Sequence, residues 1–129
     1  MIIISTKALS AGGETFIDRG EVADFDFRVG DFTKDGAFHT LDLSGIVPVG
    51  VTQLELAIAV HPDFGGGQLY VGNKDYTNYP NLLRTCSGTS GYCYWAYGRV
   101  SCNAFRELQY MVAAGAYTSI ELLVRGWYI

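Results

Sequence analysis

The stretch Thr52-Gln53-Leu54-Glu55-Leu56-Ala57-Ile58-Ala59-Val60 alternates without a break. Leu54, Leu56, Ile58 and Val60 fall on one side, and Gln53, Glu55, Ala57 and Ala59 on the other. Successive side chains of an extended backbone point to opposite faces, so a period of two reads as a strand with one face buried. Tyr117 to Arg125 reads the same way. There Ile120, Leu122 and Val124 alternate with Ser119, Glu121 and Arg125, and only Leu123 interrupts the polar side.

Working outward, Phe25, Phe27 and Val29 alternate with Asp24, Asp26 and Arg28, and Phe38 to Leu43 places Leu41 and Leu43 inward beside Asp42. Shorter candidate strands are Ile2 to Ile4, Gln68 to Val71, Leu82 to Cys86, Tyr92 to Tyr97 and Phe105 to Val112. Phe105, Leu108, Met111 and Val112 also recur at helical spacing. The strand is preferred there, because Asn103 makes only a weak helix start. Turn clusters separate the runs: Gly12-Gly13, Lys34-Asp35-Gly36, Pro48-Val49-Gly50, Pro62 to Gly67 and Ser87 to Gly91. Asp35-Gly36 between Phe32 and Phe38 predicts a hairpin. Many short strands joined by glycine-rich turns predict an all-β fold, a single antiparallel, jelly-roll-like β-sandwich over residues 1–129.

Composition narrows the function. Nine Lys and Arg against thirteen Asp and Glu give a net charge of −4, which disfavours a grip on nucleic-acid phosphates. The longest apolar run, Leu56 to Val60, is far short of the roughly 20 residues of a membrane-spanning helix. Met1-Ile2-Ile3-Ile4 precedes its first charge, Lys7, so no secretory leader is expected, and the protein is expected to stay in the cytoplasm that makes it or leave by lysis. The apolar ends, Ile2 to Ile4 and Gly126 to Ile129, are expected to dock onto the sandwich or onto another chain.

No constellation points to catalysis or to a cofactor. Cys86, Cys93 and Cys102 are spaced too widely for a zinc knuckle. Cys86 and Cys93 flank a glycine-rich loop, so a disulfide between them stands beside the alternative of three thiols acting as small hydrophobes. Asp24, Asp26, Asp31 and Asp35 crowd one region, but Arg28 stands where a calcium loop needs an oxygen ligand; Asp24 and Asp26 read as solvated carboxylates. His39 and His61 read as turn residues, Ser44 near Asp42 and His39 forms no recognised nucleophile motif, and Gly65-Gly66-Gly67 lacks the Lys-Ser/Thr of a phosphate loop. No enzyme is expected.

The aromatic content is the informative feature. Tyr70, Tyr76, Tyr79, Tyr92, Tyr94, Trp95 and Tyr97 fall in one segment, and Trp127 and Tyr128 close the chain. Aromatics suit strands, so sheet packing accounts for them. Tyrosine also gives large contact area at little entropic cost, which makes Tyr76, Tyr79, Tyr92, Tyr94, Trp95, Tyr97, Trp127 and Tyr128 a candidate surface for a partner subunit or a glycan ring.

Leu41-Asp42-Leu43-Ser44-Gly45-Ile46-Val47-Pro48-Val49-Gly50-Val51-Thr52 leads into the central strand, and Ile120 to Val124 runs on to Arg125-Gly126-Trp127. This pairing resembles the small β-sandwich modules of tailed-phage virion proteins: capsid decoration (cement) proteins, head fibres and tail-fibre tips. In these a D-L-S-x-I-V-P-x-G turn leads into a central strand and a final strand ends in G-W. The resemblance covers two short motifs; Gly65 to Ala114 carries none. It implies a structural protein of a bacteriophage particle, assembled in the host cytoplasm, most simply a cement protein bridging shell subunits. Its partners would be copies of itself and the major capsid or another virion protein. The alternative is a carbohydrate-binding or host-adhesion module at a fibre tip, with a host-surface glycan as partner.

Overall fold

The computed structural model describes residues 13–129. The described residues form nine strands: β1 Phe16–Asp18, β2 Phe27–Arg28, β3 Phe38–Asp42, β4 Gln53–Pro62, β5 Gly67–Asn73, β6 Leu83–Ser87, β7 Tyr94–Ser101, β8 Glu107–Val112 and β9 Tyr117–Tyr128. One sheet has the order β1-β9-β4-β7, with β2 also on β9; the other has the order β3-β8-β5-β6. All pairs are antiparallel, and one set of them is nested. β5 pairs with β6, β4 with β7, β3 with β8, and β1 and β2 with β9. Successive nested pairs alternate between the two sheets. This is one long hairpin rolled into a sandwich, the jelly roll.

The alternating runs fill the space between the sheets. Leu54, Leu56, Ile58 and Val60 meet Ile120, Leu122 and Val124, all at most 1% exposed. The facing sheet contributes Leu41, Leu69, Val71, Leu108, Tyr110 and Val112 to the same cluster. Burying one such aliphatic side chain is worth about 1.5–3 kcal/mol. The Asp42–Val51 turn seals one end of this core with Leu43, Val47 and Val51. It is held by the Asp42 carboxylate, which accepts from the Ser44 N–H at 2.8 Å, and by Arg106, whose guanidinium donates to the Ser44 and Val47 carbonyls at 3.1 and 2.9 Å. Arg106 itself has φ 62°, the one non-glycine in the left-handed region among the described residues. That strain sits in a turn clamped by the Asn103 side chain, which accepts from the Phe105 and Glu107 amides.

Several local expectations shift. Residues Phe105 to Ala114 hold a strand, the reading preferred over a helix, though β8 starts only at Glu107. The strand expected from Tyr92 begins at Tyr94 and runs on to Ser101. The alternation from Phe25 to Val29 yields only a two-residue strand, since Val29–Asp31 closes into a 3-10 turn in which the Asp31 carboxylate accepts the Arg28 N–H. Asp35-Gly36 is a turn but not a hairpin: β2 lies on β9 and β3 on β8, so this turn carries the chain between sheets. His39 and His61 lie in β3 and β4, not in turns. The chain's C-terminal end is docked, with Ile129 and Thr15 exchanging backbone hydrogen bonds at 2.8 and 2.9 Å. The Ile2 to Ile4 strand, the N-terminal docking expected for it, and Gly12 lie outside the described residues.

Candidate functional site

The sandwich has two outer faces, and alternation assigns each residue to one of them. On the β1-β9-β4-β7 sheet, β7 turns Trp95, Tyr97 and Arg99 outward, because its partners Leu54, Leu56 and Ile58 pair with Val100, Gly98 and Ala96 on the inner side. The outward residues of β4 at the centre are Ala57 and Ala59, only 2% and 1% exposed. Ala57 lies in register between Tyr97 and Leu123, and Ala59 between Trp95 and Glu121. Small residues in the middle and large rings beside them make an aromatic surface. Trp95 and Tyr97 lie nearly parallel, 6.1 Å apart, and Phe25 reaches Trp95 at 5.9 Å.

Arginines are interleaved with these rings. Arg125 lies over Tyr97 at 5.7 Å and Arg99 over Tyr128 at 4.1 Å. Arg99 also grips the Glu14 carboxylate with two nitrogens, at 2.9 and 2.5 Å, and donates to Gln53 at 3.0 Å. The guanidinium holds Glu14 below the usual carboxylate range. The Tyr128 hydroxyl is pushed up, first by burial and then by the neighbouring Glu55. One Glu55 oxygen is buried and has no hydrogen-bond partner among the described residues.

The β3-β8-β5-β6 sheet carries a second cluster. Phe38, Met111, Tyr70 and Arg84 line up in register across its four strands. Tyr79, on the 3-10 turn Tyr79–Asn81, folds over this row and packs against Tyr70 at 5.1 Å and Phe38 at 5.7 Å. Leu82 occupies the space above Gly72, where any Cβ would collide with it. Tyr70, Tyr79, Leu82 and Arg84 border an open cleft of about 330 Å³. The Arg84 guanidinium donates to the Tyr70 hydroxyl at 3.2 Å and has no carboxylate partner among the described residues.

The eight candidate contact residues are therefore dispersed. Trp95, Tyr97 and Tyr128 share one outer face, and Tyr79 lies on the other. Tyr76 sits at the Gln53 end of the sandwich, where its hydroxyl accepts from Ser101 at 3.1 Å. Tyr92 and Tyr94 lie at the opposite end, 61% and 43% exposed. Trp127 pairs with Leu54 and packs against the core. Phe16, Phe25, Phe38, Arg84, Arg99 and Arg125 join the two faces although the sequence reading did not select them. Where they lie in strands, their only sequence signal is parity, which says nothing until the pairing partners are known.

The remaining polar groups are engaged locally. The three thiols are unbonded: Cys86 and Cys93 are exposed and Cys102 is buried. Cys86 projects outward beside Arg84, whereas burial, and then Glu121 of the other sheet, push the Cys93 thiol up. Asp26 is not a solvated carboxylate but an ion-pair partner of Arg19 at 2.7 Å; Asp24 pairs with Arg28, and Asp35 takes the His39 ring nitrogen at 2.9 Å. Among the described residues no group of three or more His, Cys, Asp or Glu could hold a metal ion, and no helix is long and apolar enough to cross a membrane. No protein-family model matches the chain, and no curated protein matches it either.

Proposed function

We propose that this chain is a structural protein of a bacteriophage particle, a capsid decoration protein that bridges neighbouring shell subunits after assembly in the host cytoplasm. The observation that carries the reading is the presence of exposed aromatics with interleaved arginines on both outer faces of one small sandwich. A module that only presents a tip needs one adhesive face; a bridge needs two. Jelly rolls recur in viral shells and in lectins, so the fold agrees with the reading without choosing it. The partners are copies of the chain and the major capsid or another virion protein. Particles made without the chain should lose resistance to heat and osmotic shock, and microscopy of complete particles should find it in many copies. Unchanged resistance together with unchanged host adsorption would reject the reading.

A second reading, a carbohydrate-binding or host-adhesion module, is favoured by the Tyr70–Tyr79–Leu82–Arg84 cleft. Aromatic rings stack on the C–H faces of sugars, and the guanidinium and phenols donate to hydroxyls. The isolated protein should then bind on a glycan array, and Tyr79→Ala should abolish the signal.

A further inference from the structure

The four sheet edges of this sandwich are not alike. Natural proteins blunt exposed edges with short strands, charges, proline or bulges, because an unpaired row of N–H and C=O groups is a template for another strand. The β1/β2 edge follows the rule, with strands of three and two residues and a charged clasp between them. The β3 and β6 edges are five residues each, and both carry charge, Asp42 on β3 and Arg84 on β6.

β7 breaks the rule. It is eight residues long, has no proline, carries a single charge, Arg99, that Glu14 already pairs, and matches β4 through eight consecutive positions without a register shift. The direction of its free groups follows from one bond. The Cys102 N–H donates to the Thr52 carbonyl, in the same register as the β4–β7 ladder. Hydrogen-bonded pairs alternate in an antiparallel ladder, so Val100, Gly98, Ala96 and Tyr94 face β4 and Trp95, Tyr97 and Arg99 point their N–H and C=O groups off the edge. No protein group among the described residues bonds the main chain of those three. β6, the nearest strand of the other sheet, stays below it: Leu83 lies under Gly98, and Thr85 donates to the Tyr94 carbonyl at 3.2 Å.

We propose that β7 is a self-association edge, pairing antiparallel with β7 of a second copy about a two-fold axis at Tyr97. The occupant is a second copy because the strand complements itself. In this register Tyr97 faces Tyr97, and Trp95 of each copy falls opposite Arg99 of the other, whose charge Glu14 already neutralises, so no unpaired charge is brought to the seam. The only charged residue of β7 never meets its own kind, and the contact is isologous and closed. The Trp95–Tyr97 faces of the two copies become one continuous surface. This inference goes beyond the particle reading, since it concerns the purified chain alone and can fail while that reading stands.

The test is sedimentation equilibrium of the purified chain up to its solubility limit, with amide hydrogen exchange at both ends of the range. A dimer is expected, with the Trp95, Tyr97 and Arg99 amides exchanging more slowly as concentration rises. Tyr97→Lys places two like charges on the axis and should weaken dimerisation about tenfold or more. Should that variant not fold, the exchange data on the unmodified chain decide. A protein that stays monomeric, or a dimer whose Trp95, Tyr97 and Arg99 amides exchange at the same rate at every concentration, overturns the proposal.

Discussion

Arg19 and Asp26 together complete the outer edge of β9 in the gap between β1 and β2. The Asp26 carboxylate accepts the Val124 N–H at 2.8 Å, the Arg19 guanidinium donates to the Val124 carbonyl at 2.7 Å, and the two side chains pair at 2.7 Å. On one side the Arg19 N–H bonds the Arg125 carbonyl; on the other the Asp26 N–H bonds the Leu122 carbonyl. Two side chains thus stand in for a stretch of strand, and backbone groups that would otherwise be orphaned are satisfied.

Removing the carboxylate should therefore cost more than a surface ion pair. In Asp26→Ala the Val124 N–H loses its partner and the Arg19 guanidinium keeps only the Val124 carbonyl, next to a Val124 side chain that is fully buried. A loss of about 1–3 kcal/mol is expected in urea unfolding. A loss within the surface range of a few tenths would show that water replaces the clasp at no cost.

Gly126 is a packing requirement. A Cβ there would run into the Ile17 carbonyl and the Phe16 ring. One of these is backbone and cannot rotate away, so Gly126→Ala should push β1 off β9. The expected cost is about 1–3 kcal/mol, with faster amide exchange confined to β1 and the end of β9.

Acid should weaken the fold through three exposed carboxylates. Glu14 is lowered by the Arg99 side chain, Asp35 by the Ala37 N–H and then His39, and Asp42 by the Ser44 N–H. A carboxyl lowered in the folded state contributes stability that is present above its unfolded value and lost as pH falls through the folded one. Stability should thus decline below the ordinary carboxylate range. Arg99→Gln should return the Glu14 titration upward in a carbon-detected NMR experiment while leaving Asp35 and Asp42 where they are.

The thiols should separate by reactivity. Cys86 and Cys93 should react with a disulfide reagent in the folded protein, and Cys102, buried with its thiol donating to the Val51 carbonyl at 3.4 Å, only on unfolding. Burial raises Cys93, so its rate should climb steeply as pH rises toward its thiolate range. A folded protein with no reactive thiol, gaining two after reduction, would instead establish the Cys86–Cys93 bridge.

The two long strands were readable without coordinates because burial on one face imposes a period of two, and Thr52 to Val60 and Ile120 to Val124 keep it. The core followed from the same pattern. The short strands were harder. β2 is two residues long, and its extent depends on where β9 offers unpaired groups rather than on its own alternation. The C-terminal end shows what only tertiary structure decides. Ile120, Leu122 and Val124 face inward, and strict alternation would keep even-numbered positions inside. A register shift between Glu55 and Leu56 inserts one extra β9 residue, so Trp127 turns into the core and Tyr128 turns out beneath Arg99. Sequence established that this is a rolled antiparallel sheet rich in aromatic side chains. Which rings meet across strands, which face each lies on and which strand lacks an outer partner among the described residues depend on pairing between residues far apart in the chain, and local periodicity carries no information about those partners.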